Sequence, residues 1–146
     1  MGQQQLLLLV LGMVIVGIAV VAGIQAFSEG KQKAERDAAV SDAMRLISDI
    51  QAWMLKPKAF GGGGNEGNWS NVSLKAIGLD PNKDGGSNPS YYETINGCFD
   101  ITGAQEKATL KIYGKDQSGE CDEDNIIATV EINGTSPNDV TWSYTS

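Results

Sequence analysis

A chain of 146 residues with a formal net charge of −7 and no histidine has room for one membrane-length helix and one head of about 90 residues built on a single small core. Lacking histidine, it lacks the commonest general base and metal ligand, and no nucleophile–base pair or metal-ligand cluster stands in, so an enzyme is not expected. The charge is balanced over residues 1–57 (five basic, five acidic) and acidic over 58–146 (six Lys against thirteen Asp and Glu), and an acidic head disfavours direct binding to nucleic-acid phosphates.

Behind Met1-Gly2-Gln3-Gln4-Gln5, residues 6–24 are nineteen consecutive apolar or glycine positions without a charge. As a helix they extend about 28 Å, close to the hydrocarbon core of a bilayer. A cleavable signal peptide fits less well, because it needs a basic start and a shorter apolar stretch. A plain single-pass anchor is an alternative, although it normally carries flanking charges that set its orientation. Apolar on every side, the segment is expected to pack in lipid or among identical helices. Gly12, Gly17 and Gly23 with Ala19 and Ala22 set small side chains among Leu, Val and Ile. Ala19 and Gly23 form a small-xxx-small pair of the kind that lets membrane helices approach. Leu6, Leu9, Gly12, Val16, Ala19 and Gly23 are the expected packing positions. Glycine is also common in membrane helices generally. It weakens a helix by about 1 kcal/mol relative to alanine, so local unwinding around residues 12–17 is expected once the helix leaves the bilayer.

Helical pattern continues through Glu29, Lys31, Lys33, Glu35, Arg36 and Asp37 to about Lys56, where Pro57 ends it. Val40, Met44, Ile47, Ile50 or Gln51, and Met54 recur at helical spacing, widened by Leu46 and Trp53. Asp37, Asp42, Arg45, Asp49 and Lys56 occupy the other side, and the apolar stripe is expected to lie against a sheet. The expected organisation is a membrane or filament-core helix over 1–26, its amphipathic continuation over 27–56, and a loop-rich β-sheet head over 57–146.

Gly61 to Gly64, followed by Asn65-Glu66-Gly67-Asn68, read as a flexible connection, since neither a preceding strand nor a following Lys-Ser/Thr makes them a phosphate cradle. Asn68-Trp69-Ser70, Asn71-Val72-Ser73 and Asn133-Gly134-Thr135 are glycan-acceptor triplets at Asn68, Asn71 and Asn133, a pattern that also arises by chance. Asp80-Pro81-Asn82-Lys83-Asp84-Gly85 matches the opening of a Ca²⁺ loop, with Asp80, Asn82 and Asp84 as oxygen ligands. The twelfth position is Tyr91 where a bidentate Glu belongs, with Glu93 two further on, which rules out a regular EF-hand. The same residue types build plain turns, so Ca²⁺ is the one cofactor suggested and a turn is the alternative. Residues 91–95, 98–102, 109–113, 126–132 and 140–144 read as strands, with Asn133-Gly134 as a turn. Glu120, Asp122, Glu123 and Asp124 read as a solvated loop. Together these give an α+β fold, with an antiparallel sheet of about four strands packed on the helix. Cys98 and Cys121 read as one disulfide in an exported chain, or as two buried thiols in a reducing compartment.

In its uncharged N-terminal helix, the long continuation, the helix–loop–sheet order and the lone cysteine pair, the chain resembles type IV pilins and pseudopilins. The resemblance covers about the first 55 residues in sequence and the remainder in architecture. It implies a subunit made with a short leader, cut by prepilin peptidase and methylated on its new N-terminus, with Met1 as that residue if the sequence is the mature form. It also implies residence in the inner membrane before assembly, contact with the assembly machinery, and polymerisation with identical subunits into a cell-surface filament. One departure stands. The family usually carries a glutamate at mature position five, and this chain has Gln5, or Leu7 if cleavage follows Gly2. The family's carboxylate pairs with a neighbour's N-terminal amine; glutamine accepts a hydrogen bond from that amine with less electrostatic pull. Bacterial and archaeal lineages both stay open. The alternative functions are a pseudopilin of a type II-like secretion system, some of which hold calcium in a comparable loop, and a monomeric membrane-anchored binding domain.

Overall fold

No proline interrupts the helical run before Pro57. In the computed structural model, which describes residues 2–81 and 91–145, one helix, α1, occupies Gly2–Leu55. The chain divides into a unit ending at Ala34 and a unit beginning at Glu35. The first is helix alone, exposed on every side, with Gly12 and Gly17 inside unbroken helix.

Within the second unit, the head, α1 buries Ala39, Ala43, Leu46, Ile47, Ile50, Trp53 and Met54. This stripe is rotated from the expected one. Met44 is 56% exposed while Ala43 beside it is fully buried, and Val40 is only partly covered. At Ala39 the cause is close approach. A Cβ built on Gly97 would stand 3.3 Å from the Cβ of Ala39, and in an interior packed to crystal density only small side chains fit there.

The glycine run after α1 is a fitted cap rather than the flexible connection its composition suggests. The backbone N–H groups of Gly63, Asn65 and Gly64 donate to the carbonyl oxygens of Trp53 (3.0 Å), Met54 (2.6 Å) and Lys56 (2.9 Å). These are the carbonyls that a helix end leaves unpaired. Gly61 and Gly64 have φ of +83° and +67°, the left-handed region open to glycine at no steric cost. A Cβ on Gly63 would press on Met54 at 2.7 Å and Trp53 at 3.0 Å. The segment that follows belongs to the core: Trp69, Val72 and Leu74 are buried in it, and Ala76, Ile77 and Leu79 pack against it.

β1 (Tyr92–Glu93), β2 (Cys98–Gly103), β3 (Ala108–Lys115), β4 (Cys121–Ile132) and β5 (Val140–Tyr144) form one antiparallel sheet in that order. The fold is α+β, with five strands where about four are expected. Ile101 faces Leu110, Leu110 faces Val130, Ile112 faces Ala128 and Val130 faces Trp142. These residues join the buried stripe of α1 in one core, and the alternation along a strand puts the pairs Asp100–Lys111, Thr102–Thr109 and Thr109–Glu131 on the other face. β1 is shorter than expected because Thr94 turns back, its N–H donating to the Gly97 carbonyl at 2.9 Å. β4 begins at Cys121 instead of at 126, so Asp122, Glu123 and Asp124 lie in a strand and not in a loop. Register shifts between Ile112, Tyr113 and Lys115 on β3 mark the bulged part of this pairing. The β4–β5 connection exceeds a two-residue turn. It runs through a 3₁₀ turn at Pro137–Asp139 with a reciprocal Ser136–Asp139 capping box, and Gln51 of α1 donates to the carbonyl oxygens of Gly134 and Ser136 at 3.1 Å each.

Candidate functional site

The feature with most functional content is the apolar part of α1. Its most apolar 18-residue window has a mean hydropathy of 3.0 and none of it is buried. Leu6 is 63% exposed, Leu9 58% and Val16 61%. At 3.6 residues per turn, Leu9, Gly12, Val16, Ala19 and Gly23 fall within about a quarter of the helix circumference, with Leu6 to one side. Gly12 and Gly23 carry no side chain and Ala19 only a methyl group, which leaves a shallow path along that face. The helix is long and apolar enough to cross a membrane. So large a continuous apolar surface is uncommon on a soluble monomer.

In the head, Cys98 and Cys121 form a disulfide with a Cα–Cα distance of 5.9 Å, and among the described residues no cysteine is free. The bridge joins the starts of β2 and β4, the strands on either side of β3. The Glu93 carboxylate lies within 4.8 Å of both sulfurs. Because both sulfurs are committed to the bridge, this trio is a neighbourhood and not a ligand set. Lys115 Nζ lies 2.7 Å from Glu93 Oε1. Close by, Asp42 of α1 accepts hydrogen bonds from Thr94 Oγ1 (3.1 Å) and Asn96 Nδ2 (3.0 Å). The open cleft lined by these groups and Ile95 has its charges already paired.

A cluster on the outer face of the sheet was not legible in the sequence. Tyr91 and Tyr113 meet edge to face with ring centroids 5.1 Å apart. Burial, followed by a hydrogen bond to the Glu123 carboxylate, pushes the Tyr91 hydroxyl up to about 12. Burial, then the charge of Asp100, raises Tyr113. Asp100 is itself raised by burial, with Lys111 opposing. Both phenols stay protonated at neutral pH and act as hydrogen-bond donors, not nucleophiles. Tyr91 and Glu123 are distant in sequence, and only the early start of β4 brings them together.

The other expected positions are spread over the surface. Asp80 is exposed, whereas Asn82 and Asp84 lie outside the described residues, as does Met1. Asn68, Asn71 and Asn133 are all exposed. Asn68 Oδ1 accepts from the Ser70 N–H (3.1 Å) and hydroxyl (2.7 Å), which folds that triplet into an Asx turn. No protein-family model matches the sequence, and no curated protein or solved structure matches it either. The likeness to pilins therefore rests on architecture: a long apolar N-terminal helix, a small antiparallel sheet and a disulfide.

Proposed function

We propose that the chain is a structural subunit of a type IV pilus-like extracellular filament, polymerising through its N-terminal helix and held in the inner membrane beforehand. The observation that carries this reading is a helix whose residues 6–24 are wholly apolar or glycine and wholly exposed. Burying each of its large aliphatic side chains is worth roughly 1.5–3 kcal/mol. Lipid supplies that burial to the single subunit, and neighbouring helices supply it in the polymer, so covalent links are not needed. Gln5 contributes a hydrogen-bond acceptor at the position where the family pairs with a neighbouring amine. Residues 58–146 carry the whole net charge, and so acidic a surface suits a solvated exterior that resists aggregation.

Electron microscopy of the cell surface, with mass spectrometry of sheared filaments, tests the reading. Abundant recovery of this chain is expected. Val16→Asp puts a charge where only apolar groups surround it and should abolish filaments while leaving the head folded. Filaments of normal length from that variant, or sheared filaments without this chain, would overturn the proposal, the latter in favour of an anchored domain.

A further inference from the structure

The sequence contains two Asn–Gly pairs, Asn96–Gly97 and Asn133–Gly134. In such a pair the glycine nitrogen can attack the side-chain carbonyl carbon of the asparagine before it, because no Cβ on the glycine blocks the approach. The attack is intramolecular, so its rate depends on how freely the two groups can meet. The fold treats the two pairs differently.

Asn133 follows β4 directly and is exposed. Its backbone N–H donates to the Asp139 carbonyl at 3.0 Å. Among the described residues its side-chain amide makes no hydrogen bond, and the Gly134 N–H donates to no acceptor. The packing also calls for glycine after it. A Cβ on Gly134 would stand 2.3 Å from Asp139 Oδ2, and that oxygen is held in place by the Ser136 N–H at 3.0 Å. Asn96 is half-buried, and its Nδ2 donates to Asp42 Oδ2 at 3.0 Å. Gly97 beside it is buried, where a Cβ would come within 2.9 Å of the Tyr113 carbonyl oxygen. One amide is free and the other is tied to a carboxylate.

We propose that Asn133 is a modification site at which the folded chain deamidates by itself, with water as the co-reactant. The Gly134 nitrogen bonds to Cγ of Asn133, the Cγ–Nδ2 bond breaks, and ammonia leaves with the proton that Gly134 gives up. Water then opens the succinimide ring at either carbonyl, yielding aspartate or isoaspartate. Either product adds a negative charge to the connection that already holds Asp139. Isoaspartate also lengthens the main chain by one carbon between β4 and the Gly134 and Ser136 carbonyls that receive Gln51 of α1. The nitrogen lost is the one a glycan would occupy in Asn133-Gly134-Thr135, so a converted chain can no longer accept one there.

The test incubates the full chain in detergent micelles at mildly alkaline pH and scores amide-to-acid conversion at both asparagines by peptide mass spectrometry, with isoaspartyl methyltransferase labelling to identify isoaspartate. Conversion at Asn133 should accumulate, include isoaspartate, and quicken as pH rises, because the attacking nitrogen must lose its proton. Asn96 should lag by about tenfold or more, the effect of one charge-assisted hydrogen bond on a barrier. In guanidinium chloride the two sites should convert at similar rates, since only the fold separates them. Asp42→Ala should speed conversion at Asn96 and leave Asn133 unchanged. Equal rates at the two sites in the folded chain, conversion at Asn133 in the unfolded chain alone, or no isoaspartate among the products would each overturn the assignment.

Discussion

Ala43 and Met44 are sequence neighbours in opposite environments, one fully buried and the other 56% exposed. Ala43→Leu adds a branched side chain where α1 lies against the core. Overpacking of this kind costs about 1–3 kcal/mol. Met44→Lys keeps an unbranched side chain and a good helix former at an exposed position, so its effect should stay within about 0.5 kcal/mol. For a domain near this size each kcal/mol moves Tm by about 4–8 °C. Ala43→Leu should therefore lower Tm by roughly 5–20 °C and Met44→Lys by less than about 4 °C. All three tryptophans, Trp53, Trp69 and Trp142, belong to the head. Their near-UV circular dichroism in the full chain in detergent micelles reports the melting of the head without a signal from the apolar helix. If Met44→Lys proved the more damaging change, α1 would be rotated as apolar periodicity suggests, and the account of Ala39 and Ala43 given above would be wrong.

The disulfide and the tyrosine cluster give two further expectations. Alkylation of the unreduced protein should label no thiol, and Cys98→Ser with Cys121→Ser should lower stability by about 3 kcal/mol, the loop-entropy value for a closure of this length at a sequence separation of 23; two labelled cysteines in the mature protein would refute the bridge. The Tyr91 hydroxyl is raised from 10.0 to about 12 in the folded head, so the folded state holds its proton more tightly than the unfolded chain. Its contribution is fully present below pH 10 and is lost as pH rises from 10 toward 12. Urea midpoints across that window should drop less steeply for Tyr91→Phe than for the unaltered chain, and parallel profiles would refute the raised Tyr91 hydroxyl.

Features that depend on local chemistry were legible in the sequence. The uncharged run over 6–24, the stop at Pro57, the alternation in β3 and the second half of β4, and the bounds of β5 each follow from residues within a few positions of one another. What was not legible depends on pairing between distant segments. Ala39 is core where Gly97 lets the chain come close to α1, and a search for apolar periodicity picks valine and methionine before alanine. The glycines at 61–64 look like a linker by composition, yet their N–H groups meet the carbonyls of Trp53, Met54 and Lys56. Asp122, Glu123 and Asp124 lack the alternation that marks a strand, and they are held in one because the disulfide and Lys115 fix the start of β4 beside β3.

The same division separates the apolar helix from the outward side of α1 in the head. The apolar helix announces itself because lipid and a bundle of like helices select one composition, and that composition is contiguous in the chain. The side from Ser41 to Lys56 reads as an ordinary polar flank until the buried stripe is located, because Asp42, Arg45, Asp49 and Lys56 stand among its small and apolar members. Rotating the stripe toward Ala39 and Ala43 takes Met44 out of the core and places it with Leu55 and Arg45. The rotation that corrects the packing thus also decides what this side of α1 presents to solvent. Ala43→Leu and Met44→Lys consequently probe one geometric fact from its two sides, the first in the core and the second at the surface.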